Sequence, residues 1–299
     1  MSVGVCISNY NSGDSIRDAI ESVMEQNYTD IHFFIVDNAS NDESIDYLEQ
    51  LVEDRPDIIT LVKLDVPDPN AIKTINMALR LCPYEYTLVM DDDAYLIGED
   101  VLSKLVETLK FNPKAAVVGA NPTPYQFYIH DIFGNRLTPE ETDNLGVVCN
   151  IEFHGSCALF RTESLKWAGC YNETFIHYMN ELELSLIIQA SGDQVLFRSD
   201  AFVSHPSRKG IKPDLAIQYI KNYNAILKIA CLKPIRAVIL STVINGYSNW
   251  QWNPKYISFI IKELVTSFKR CEQIEYADQN LQYINSEILY NNLKRAIFR

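Results

Sequence analysis

The sequence predicts an α/β fold in which a mostly parallel central sheet is flanked by helices and followed by a mainly helical C-terminal region. Short apolar runs alternate with segments of helical periodicity through roughly the first 120 residues. Polar clusters stand where three of these runs end. Beyond His205 the pattern becomes helical, as the apolar positions of Lys255–Cys271 illustrate. Strands that alternate with helices at this spacing indicate a parallel sheet covered on both faces.

The first strand is predicted at Val3–Ser8, where an apolar run meets a polar turn. Asp14 or Ser15 is expected to cap the following helix, because both residue types can accept hydrogen bonds from free N–H groups at a helix start. The alternation then continues along the chain. We predict further strands at Ile31–Val36, Ile58–Leu64, Tyr86–Met90 and Ala115–Val118, and helices at Asn41–Val52, Ile72–Leu81 and Val101–Leu109.

The chain is less regular after these elements. Several prolines and the aromatic run Tyr125–Tyr128 indicate a loop that lies over the sheet. The predicted organisation is a domain at 1–206, with halves at 1–119 and 120–206, followed by a helical region at 207–299. Within the second half we predict strands at Gly155–Phe160 and Phe202–His205, and helices at Thr162–Ala168 and Asn180–Ala190.

Charge is unevenly distributed along the chain. The formal net charge of −13 argues against a general nucleic-acid binder, since binding to the phosphate backbone needs a basic surface. Residues 1–206 hold 12 Lys and Arg against 33 Asp and Glu, whereas residues 207–299 hold 14 against 6. The basic C-terminal region fits either a solvated face or a contact with an anionic membrane surface.

The cysteine pattern and the apolar runs bear on where the protein works. None of the seven cysteines forms a CxxC pair, which favours neither a zinc site nor a disulfide framework. Ser2–Ser8 is too short an apolar run for a signal peptide. Ala237–Ile244 is far shorter than the ~20 apolar residues that cross a bilayer. We therefore expect a cytoplasmic protein with reduced thiols.

An acidic run, Asp91–Asp93, directly follows the apolar strand at Tyr86–Met90. Three adjacent carboxylates repel one another unless they are solvated or neutralised. A Mg²⁺ or Mn²⁺ ion that bridges to a diphosphate would neutralise them, and hard cations prefer oxygen ligands. Strand alternation places Asp91 and Asp93 on the same side. A solvated loop, or a cap for the next helix, is the alternative.

Two further strand ends carry polar residues, Ser8–Asn9 and Asp37–Asn38. Because ligands of such sheets bind beyond the carboxyl ends of the strands, we expect these clusters and the acidic run to form one site. Asp37 is suited to accept hydrogen bonds from a nucleotide base. Turn chemistry with Asn38 and Ser40 is the simpler explanation of that residue alone.

Four motifs, taken in order, resemble those of family 2 glycosyltransferases of the GT-A fold. The first strand leads into a Ser8–Asn11 turn, Ser22 and Gln26 stand in the following helix, and Val36–Asp42 matches the block after the second strand. The acidic run matches the family's DxD-type motif. Residues 155–175 resemble the family's acceptor-side block, so the resemblance covers roughly 2–206.

The resemblance implies an inverting glycosyltransferase of bacterial surface polysaccharide synthesis. Its expected donor is a UDP- or dTDP-linked sugar, and its expected acceptor is a glycan or a lipid-linked molecule. It further implies that Ser8, Asn9 and Asn11 line the nucleotide pocket, Asp37 binds the base, Lys73 and Asn76 contact the nucleotide or diphosphate, Asp91 and Asp92 bind ribose or support the metal, and Asp93 with His205 binds Mg²⁺ or Mn²⁺.

The implied catalytic base is Glu181. The family's Glu-Asp-x-Asp motif aligns with Asn180–Glu183, so Glu181 replaces an Asp and Asn180 replaces the first acid. A carboxylate there would accept the proton of the acceptor hydroxyl. Without the resemblance, an acidic first turn that complements the helix dipole would explain the pattern. A non-catalytic sugar-nucleotide-binding protein is the leading alternative function.

The basic C-terminal region admits three interpretations. Trp250, Trp252 and the amphipathic Lys255–Cys271 segment suit a peripheral membrane contact, a helical cap on the catalytic domain or a homodimer interface. Ser207–Lys209 would add positive charge near the leaving diphosphate. Residues 219–234 resemble a segment of rhamnosyltransferase-like members, with Lys221 near the expected arginine.

Overall fold

The structure is a computed structural model that describes residues 2–123, 146–150, 152–175 and 179–205, together with Asn222. The chain divides into two units, Met1–Gly210 and Ile211–Arg299, and every element below belongs to the first. The predicted loop at Tyr125–Tyr128, the Ser207–Lys209 cluster and the interpretations of 207–299 lie outside the described residues. The predicted domain boundary at 206 stays a prediction.

The described elements follow the predicted alternation through the first 120 or so residues and extend it afterwards. The strands are β1 (Val3–Asn9), β2 (Ile31–Asp37), β3 (Ile59–Lys63), β4 (Tyr86–Met90), β5 (Tyr95–Leu96), β6 (Ala115–Thr123), β7 (Val147–Cys149), β8 (Cys157–Arg161) and β9 (Gln194–Ser204). The helices are α1 (Ser15–Met24), α2 (Glu43–Asp54), α3 (Ala71–Leu81), α4 (Val101–Phe111), α5 (Thr162–Trp167) and α6 (Asn180–Ala190).

These nine strands form one sheet in the order β3-β2-β1-β4-β8-β6-β9-β5, with β7 paired to β9. Strands β1 to β4 are parallel to one another, and β8 runs antiparallel between β4 and β6. Strand β9 is parallel to β6, while β5 and β7 are antiparallel to β9. Six strands therefore point the same way, and the predicted mostly parallel sheet is confirmed.

Helices cover both faces of the sheet, as the parallel strands require. Alternate residues of β1 enter different cores, with Val5 in one and Cys6 in the other. Helices α1, α2 and α4 pack on the first core, and α3, α5 and α6 pack on the second. Such strands are buried on both sides, which is why they read as continuous apolar runs in the sequence.

The helix starts are set by local polar chemistry. The side chain of Asp42 accepts a hydrogen bond from the Ser44 N–H, so α2 begins at Glu43, two residues after the predicted start. Asn70 caps α3 in the same way. The predicted side-chain cap of α1 is wrong. Asp14 precedes that helix but makes no capping bond with its side chain, and backbone turns begin the helix instead.

Four strands are absent from the sequence prediction or are several residues longer than it indicates. Strand β6 runs to Thr123, five residues past the predicted end at Val118. Strands β5 and β7 have two and three residues, too few to give a periodic signal. Strand β9 has 11 residues, whereas the sequence predicts only its end. Two charged residues interrupt its apolar sequence pattern, Arg198 and Asp200. Arg198 pairs with Asp200 and donates hydrogen bonds to the carbonyl of Lys104 and the hydroxyl of Thr108 in α4. The longest described helix has 12 residues, and no described helix has the length and apolarity to cross a membrane.

Candidate active site

A cavity of about 740 Å³ opens at the carboxyl ends of β1, β2 and β4, the edge at which the predicted polar clusters meet. Its size lies within the range of small-molecule sites. Its lining residues are Ser8, Tyr10, Asn38, Pro67, Asp68, Pro69, Ala71, Ile72, Ile75, Val89, Met90, Asp91, Asp92, Asp93, Gly155, Tyr171, Asn180, Glu181 and His205. The expectation of one site at this edge is therefore met for Ser8, Asn38 and the acidic run.

Asp91, Asp93 and His205 form a cluster of ligand atoms that all lie within 4.8 Å of one another. The Nε2 atom of His205 is 3.3 Å from Oδ2 of Asp91 and 3.2 Å from Oδ1 of Asp93. Two carboxylates and one imidazole suit a divalent cation with a preference for oxygen ligands. The residues present thus fit the metal that the sequence predicts, and Asp91 joins the predicted pair.

A turn after β4 creates this cluster. The N–H of Asp91 donates to the carbonyl of Ser156 at 3.2 Å, and the N–H of Ala94 donates to the carbonyl of Asp91 at 3.3 Å. Asp91 and Asp93 then lie on the same side, as predicted. Asp92 lines the same cavity, and its Oδ2 accepts a hydrogen bond from the Tyr10 N–H at 3.2 Å. Asp91 and Asp93 therefore belong to the cluster with His205, while Asp92 bonds to the turn after β1.

His205 is held by its backbone N–H as well as by its side chain. Its N–H donates to the carbonyl of Thr123 at 3.2 Å, immediately after β9 ends. Burial by itself lowers the pKa of His205, but the hydrogen bonds to Asp91 and Asp93 outweigh it and raise the pKa to about 10. Before a cation binds, the imidazole is therefore the positive charge that offsets the two carboxylates.

A second histidine, which the sequence analysis does not assign, lies beside the cluster. The ring of His154 meets that of His205 edge to face, with the centroids 6.0 Å apart. Burial lowers the pKa of His154 to about 4, so this ring is neutral at neutral pH. Its Nδ1 accepts from the Ser156 N–H at 3.2 Å. No periodicity or motif in the sequence distinguishes it from a core residue.

Glu181 lies in the first turn of α6 and lines the same cavity. Burial raises the pKa of its carboxyl group to about 7, and the negative charge of Asp91 adds to the rise. Burial also raises the pKa of Glu152 to about 7, with a contribution from the charge of Glu181. The carboxyl group of Glu181 therefore gains or loses its proton near neutral pH, which suits general acid–base chemistry.

Two buried polar residues complete the wall near Glu181. Asn180 is 3% exposed, and its Oδ1 has no hydrogen-bond partner among the described residues. Tyr171 is also buried, and burial raises the pKa of its hydroxyl well above the usual value. Both side chains line the cavity and present polar atoms beside an ionisable carboxyl group.

Asn9 and Asp37 are buried beneath the cavity and do not line it in the structure. The side-chain amide of Asn9 donates to Oδ1 of Asp37 at 2.7 Å and also lies within bonding distance of two serine hydroxyls. The other oxygen of Asp37 accepts from the Ser40 N–H at 3.0 Å, which is the turn chemistry considered above. The pair ties the end of β1 to the end of β2. Direct contact of either residue with a nucleotide stays a prediction.

Three other predicted nucleotide-binding residues also bond within the protein. Asn11 accepts a hydrogen bond from the Asn41 N–H at 2.8 Å, and Asn76 bonds to the backbone of Tyr171 in both directions. The Nζ atom of Lys73 lies 3.5 Å from Oδ2 of Asp68 in an ion pair. None of the three lines the cavity. A role in nucleotide binding stays a prediction for each.

The cavity also includes Tyr10, Pro67, Asp68 and Pro69, which the sequence analysis does not assign. Tyr10 is 52% exposed at the mouth of the cavity, which leaves its ring available to a planar ligand. Asn38 and Asp68 bond to each other twice, at 2.9 and 2.8 Å. Two prolines flank Asp68 in the segment after β3, a pattern that predicts a stiff loop. That pattern could have indicated this part of the cavity lining.

The sequence of this chain matches a known protein family. A family model described as glycosyl transferase family 2 matches residues 4–167, more than half of the chain. The chain is 24% identical over 182 residues to the poly-beta-1,6-N-acetyl-D-glucosamine synthase of Staphylococcus epidermidis. That match covers 58% of this chain and 43% of the relative, so the matched segment spans less than half the length of that synthase.

Solved structures give the same fold. The mannosyltransferase PcManGT from Pyrobaculum calidifontis, in complex with GDP-Man and Mn²⁺, is similar with a TM-score of 0.60 and 17% identity, over 99% of this chain and 84% of that one. The S. aureus TarS 1–349 structure in complex with UDP-GlcNAc is similar with a TM-score of 0.62 and 16% identity, over 99% and 90%. At these identities the likeness establishes the fold.

Proposed function

This chain belongs to glycosyl transferase family 2, and from that premise we propose that it transfers a sugar from a nucleoside-diphosphate sugar to a hydroxyl group of its acceptor. One observation carries the proposal. The Asp91, Asp93 and His205 cluster and the ionisable carboxyl group of Glu181 line one cavity at the carboxyl edge of the sheet. A site for a cation and a site for a base thus face the same space.

The proposed reaction is a single in-line displacement. Glu181 takes the proton of the acceptor hydroxyl while the acceptor oxygen forms a bond to the anomeric carbon. The bond from that carbon to the diphosphate oxygen breaks, and the nucleoside diphosphate leaves with the electron pair. Atoms and charge balance, since the proton remains on Glu181 until solvent removes it. The anomeric configuration inverts.

A cation is expected to be required for donor binding. Five lining residues are acidic, namely Asp68, Asp91, Asp92, Asp93 and Glu181. A diphosphate that enters beside them is repelled unless positive charge accompanies it. Asp91, Asp93 and His205 would hold Mg²⁺ or Mn²⁺, which would supply that charge. The Mn²⁺ in similar structures supports this assignment.

The names of similar proteins favour a surface glycan as acceptor. One relative is a poly-beta-1,6-N-acetyl-D-glucosamine synthase, and a structural neighbour holds UDP-GlcNAc. We propose a UDP-linked donor, with a dTDP-linked donor as the alternative, and a glycan or lipid-linked acceptor. Work at the cytoplasmic face of the membrane, through a peripheral contact or a homodimer of 207–299, remains part of the proposal.

The first experiment is a screen of UDP-, dTDP- and GDP-sugars with Mn²⁺, Mg²⁺ or EDTA, read out as both donor binding and sugar release or transfer. We expect binding and turnover of one donor class, both lost in EDTA. Asp93→Asn should lose the cation-dependent donor binding and turnover, whereas Glu181→Gln should abolish turnover and leave donor binding intact. Asp46→Asn, a matched change at an exposed residue of α2, should behave as the unaltered protein.

Two results would contradict the proposal. Turnover that persists in EDTA would remove the cation from the mechanism. Near-normal turnover by Glu181→Gln would remove Glu181 as the base. Donor binding without any turnover, across a range of glycan acceptors, would instead favour the non-catalytic sugar-nucleotide-binding protein.

A further inference from the structure

Gly155 lies directly against the carboxyl group of Glu181. A Cβ atom placed on Gly155 would overlap with Oε1 of Glu181 and would lie 3.1 Å from its Cδ and 3.4 Å from its Cγ. The backbone does not explain this glycine, because its φ lies outside the left-handed region that favours glycine. The missing side chain therefore leaves room for one neighbouring group.

The backbone at Gly155 is held where it is. The next residue, Ser156, is buried, and its carbonyl accepts a hydrogen bond from the Asp91 N–H. Cys157 then enters β8 and pairs with Met90 of β4. A side chain at 155 cannot be accommodated by retreat of this strand without breaking the turn that holds Asp91. The flexible end of Glu181 is the part that would move.

We propose that Gly155 is a positioning residue for Glu181, in that the absence of its side chain forms the space in which the reactive carboxylate lies. The inference rests on the proposed function, since it assigns to Glu181 the role of base. The close approach of Gly155 to the Glu181 side chain exists whether or not a sugar is transferred. The same strand end thereby fixes both Asp91 and Glu181.

The test begins with Gly155→Ala. The added methyl group displaces the carboxylate, and a displacement of about 1 Å can cost on the order of 100-fold in rate. We expect kcat to fall by about that factor, with donor KM nearly unchanged. The unfolding midpoint at pH 5 should also be nearly unchanged, since the overlap is with the end of a flexible side chain. A kcat equal to that of the unaltered protein would overturn the proposal, as would loss of the fold.

Glu181→Asp supplies the matched background. Aspartate is one methylene shorter, so its carboxylate does not reach the position of the added methyl group. Gly155→Ala should therefore lower kcat about 100-fold when Glu181 is present and should lower it very little in the Glu181→Asp background. Equal losses in both backgrounds would show that Gly155 acts independently of Glu181 and would overturn the proposal.

A readout that needs no transfer separates this inference from the proposed function. The free energy of unfolding is measured at pH 5 and pH 8 for the unaltered protein and for Gly155→Ala, each with and without Glu181→Gln. In each case, the change between pH 5 and pH 8 that Glu181→Gln removes is the contribution of Glu181. We expect Gly155→Ala to shrink this contribution, because the carboxylate moves toward the open cavity. An unchanged contribution would refute the positioning role. If no donor is ever turned over, the proposed function fails while this measurement still decides the role of Gly155.

Discussion

At the scale of single residues, Glu181 lines the candidate active site, and burial of its charged carboxylate lowers the stability of the fold. Its pKa of about 7 in the folded chain lies above the value of about 4.3 expected when unfolded. The folded state therefore favours the protonated form. The stabilising effect of that proton is present in full below about pH 4 and is lost as the pH rises through 7. A neutral side chain at position 181 would not lose stability in this way as the pH rises.

Glu181→Gln is thus expected to be more stable than the unaltered protein at pH 8, by about 1–3 kcal/mol, with the gain much reduced at pH 5. Chemical denaturation at both pH values, without divalent cations, measures the difference. Glu163→Gln, a change at an exposed residue of α5, should give no such gain. Equal gains at both pH values for Glu181→Gln would mean that burial of the charge is not the cause.

The sequence predicts which residue types form the site better than it predicts which of them contact one another. Motifs predict Asp93 and His205 as a pair, and the structure brings them within 3.2 Å. Asn9 and Asp37 stand at the right strand ends, yet they bond to each other beneath the cavity. Gly155 begins a predicted strand, yet nothing in the sequence links it to Glu181, because the group that needs its space lies 26 positions away along the chain. Partners distant in sequence are the part that one chain cannot reveal.

At the scale of elements, β1 and α3 pack through another glycine. A Cβ atom on Gly4 would overlap with Sγ of Cys82 and would lie 3.2 Å from Cε2 of Phe34. Cys82 ends α3, and its sulfur accepts a hydrogen bond from Thr87 of β4 at 3.3 Å. Burying one helix end against two strands leaves no room for a methyl group.

Gly4→Ala should therefore lower the free energy of unfolding by about 1–3 kcal/mol through overpacking. In a Cys82→Ala background the overlapping sulfur is gone, so the same substitution should cost clearly less. Urea denaturation of the four proteins in this cycle measures the coupling. Identical costs in the two backgrounds would place the strain elsewhere, for instance at Phe34.

Elements are predictable where both faces of a strand are buried. Strands β1, β2 and β4 are continuous apolar runs, and the structure places their ends within one residue of the predicted ones. Most of β9 escapes prediction because Arg198 and Asp200 interrupt its apolar pattern. Their charges are paired within the fold, which the pattern of one strand does not reveal.

At the scale of the whole molecule, the described cores and the cavity all lie before residue 206. Both core clusters and every lining residue belong to the unit Met1–Gly210. The predicted boundary at 206 also separates an acidic segment from a basic one. A unit with its own hydrophobic core is expected to fold on its own.

A chain truncated after Gly210 should consequently unfold in one cooperative transition. We expect Mn²⁺ to raise the melting temperature of the full chain, and the truncated chain should show the same rise. Thermal scans with and without the cation, on both chains, test this. Loss of cooperative unfolding in the truncated chain would show that residues 211–299 belong to the same folding unit, and would refute the predicted domain organisation.

The antiparallel strand β8 has a consequence for how such a protein can diversify. Its pairing with β4 puts Gly155 next to the acidic turn, although 64 positions separate Gly155 from Asp91 in the sequence. The backbone that precedes β8 therefore contacts both the carboxyl group of Glu181 and the turn that holds Asp91. Changes in the surrounding loops could then alter the donor or acceptor of the proposed reaction while these two contacts are kept.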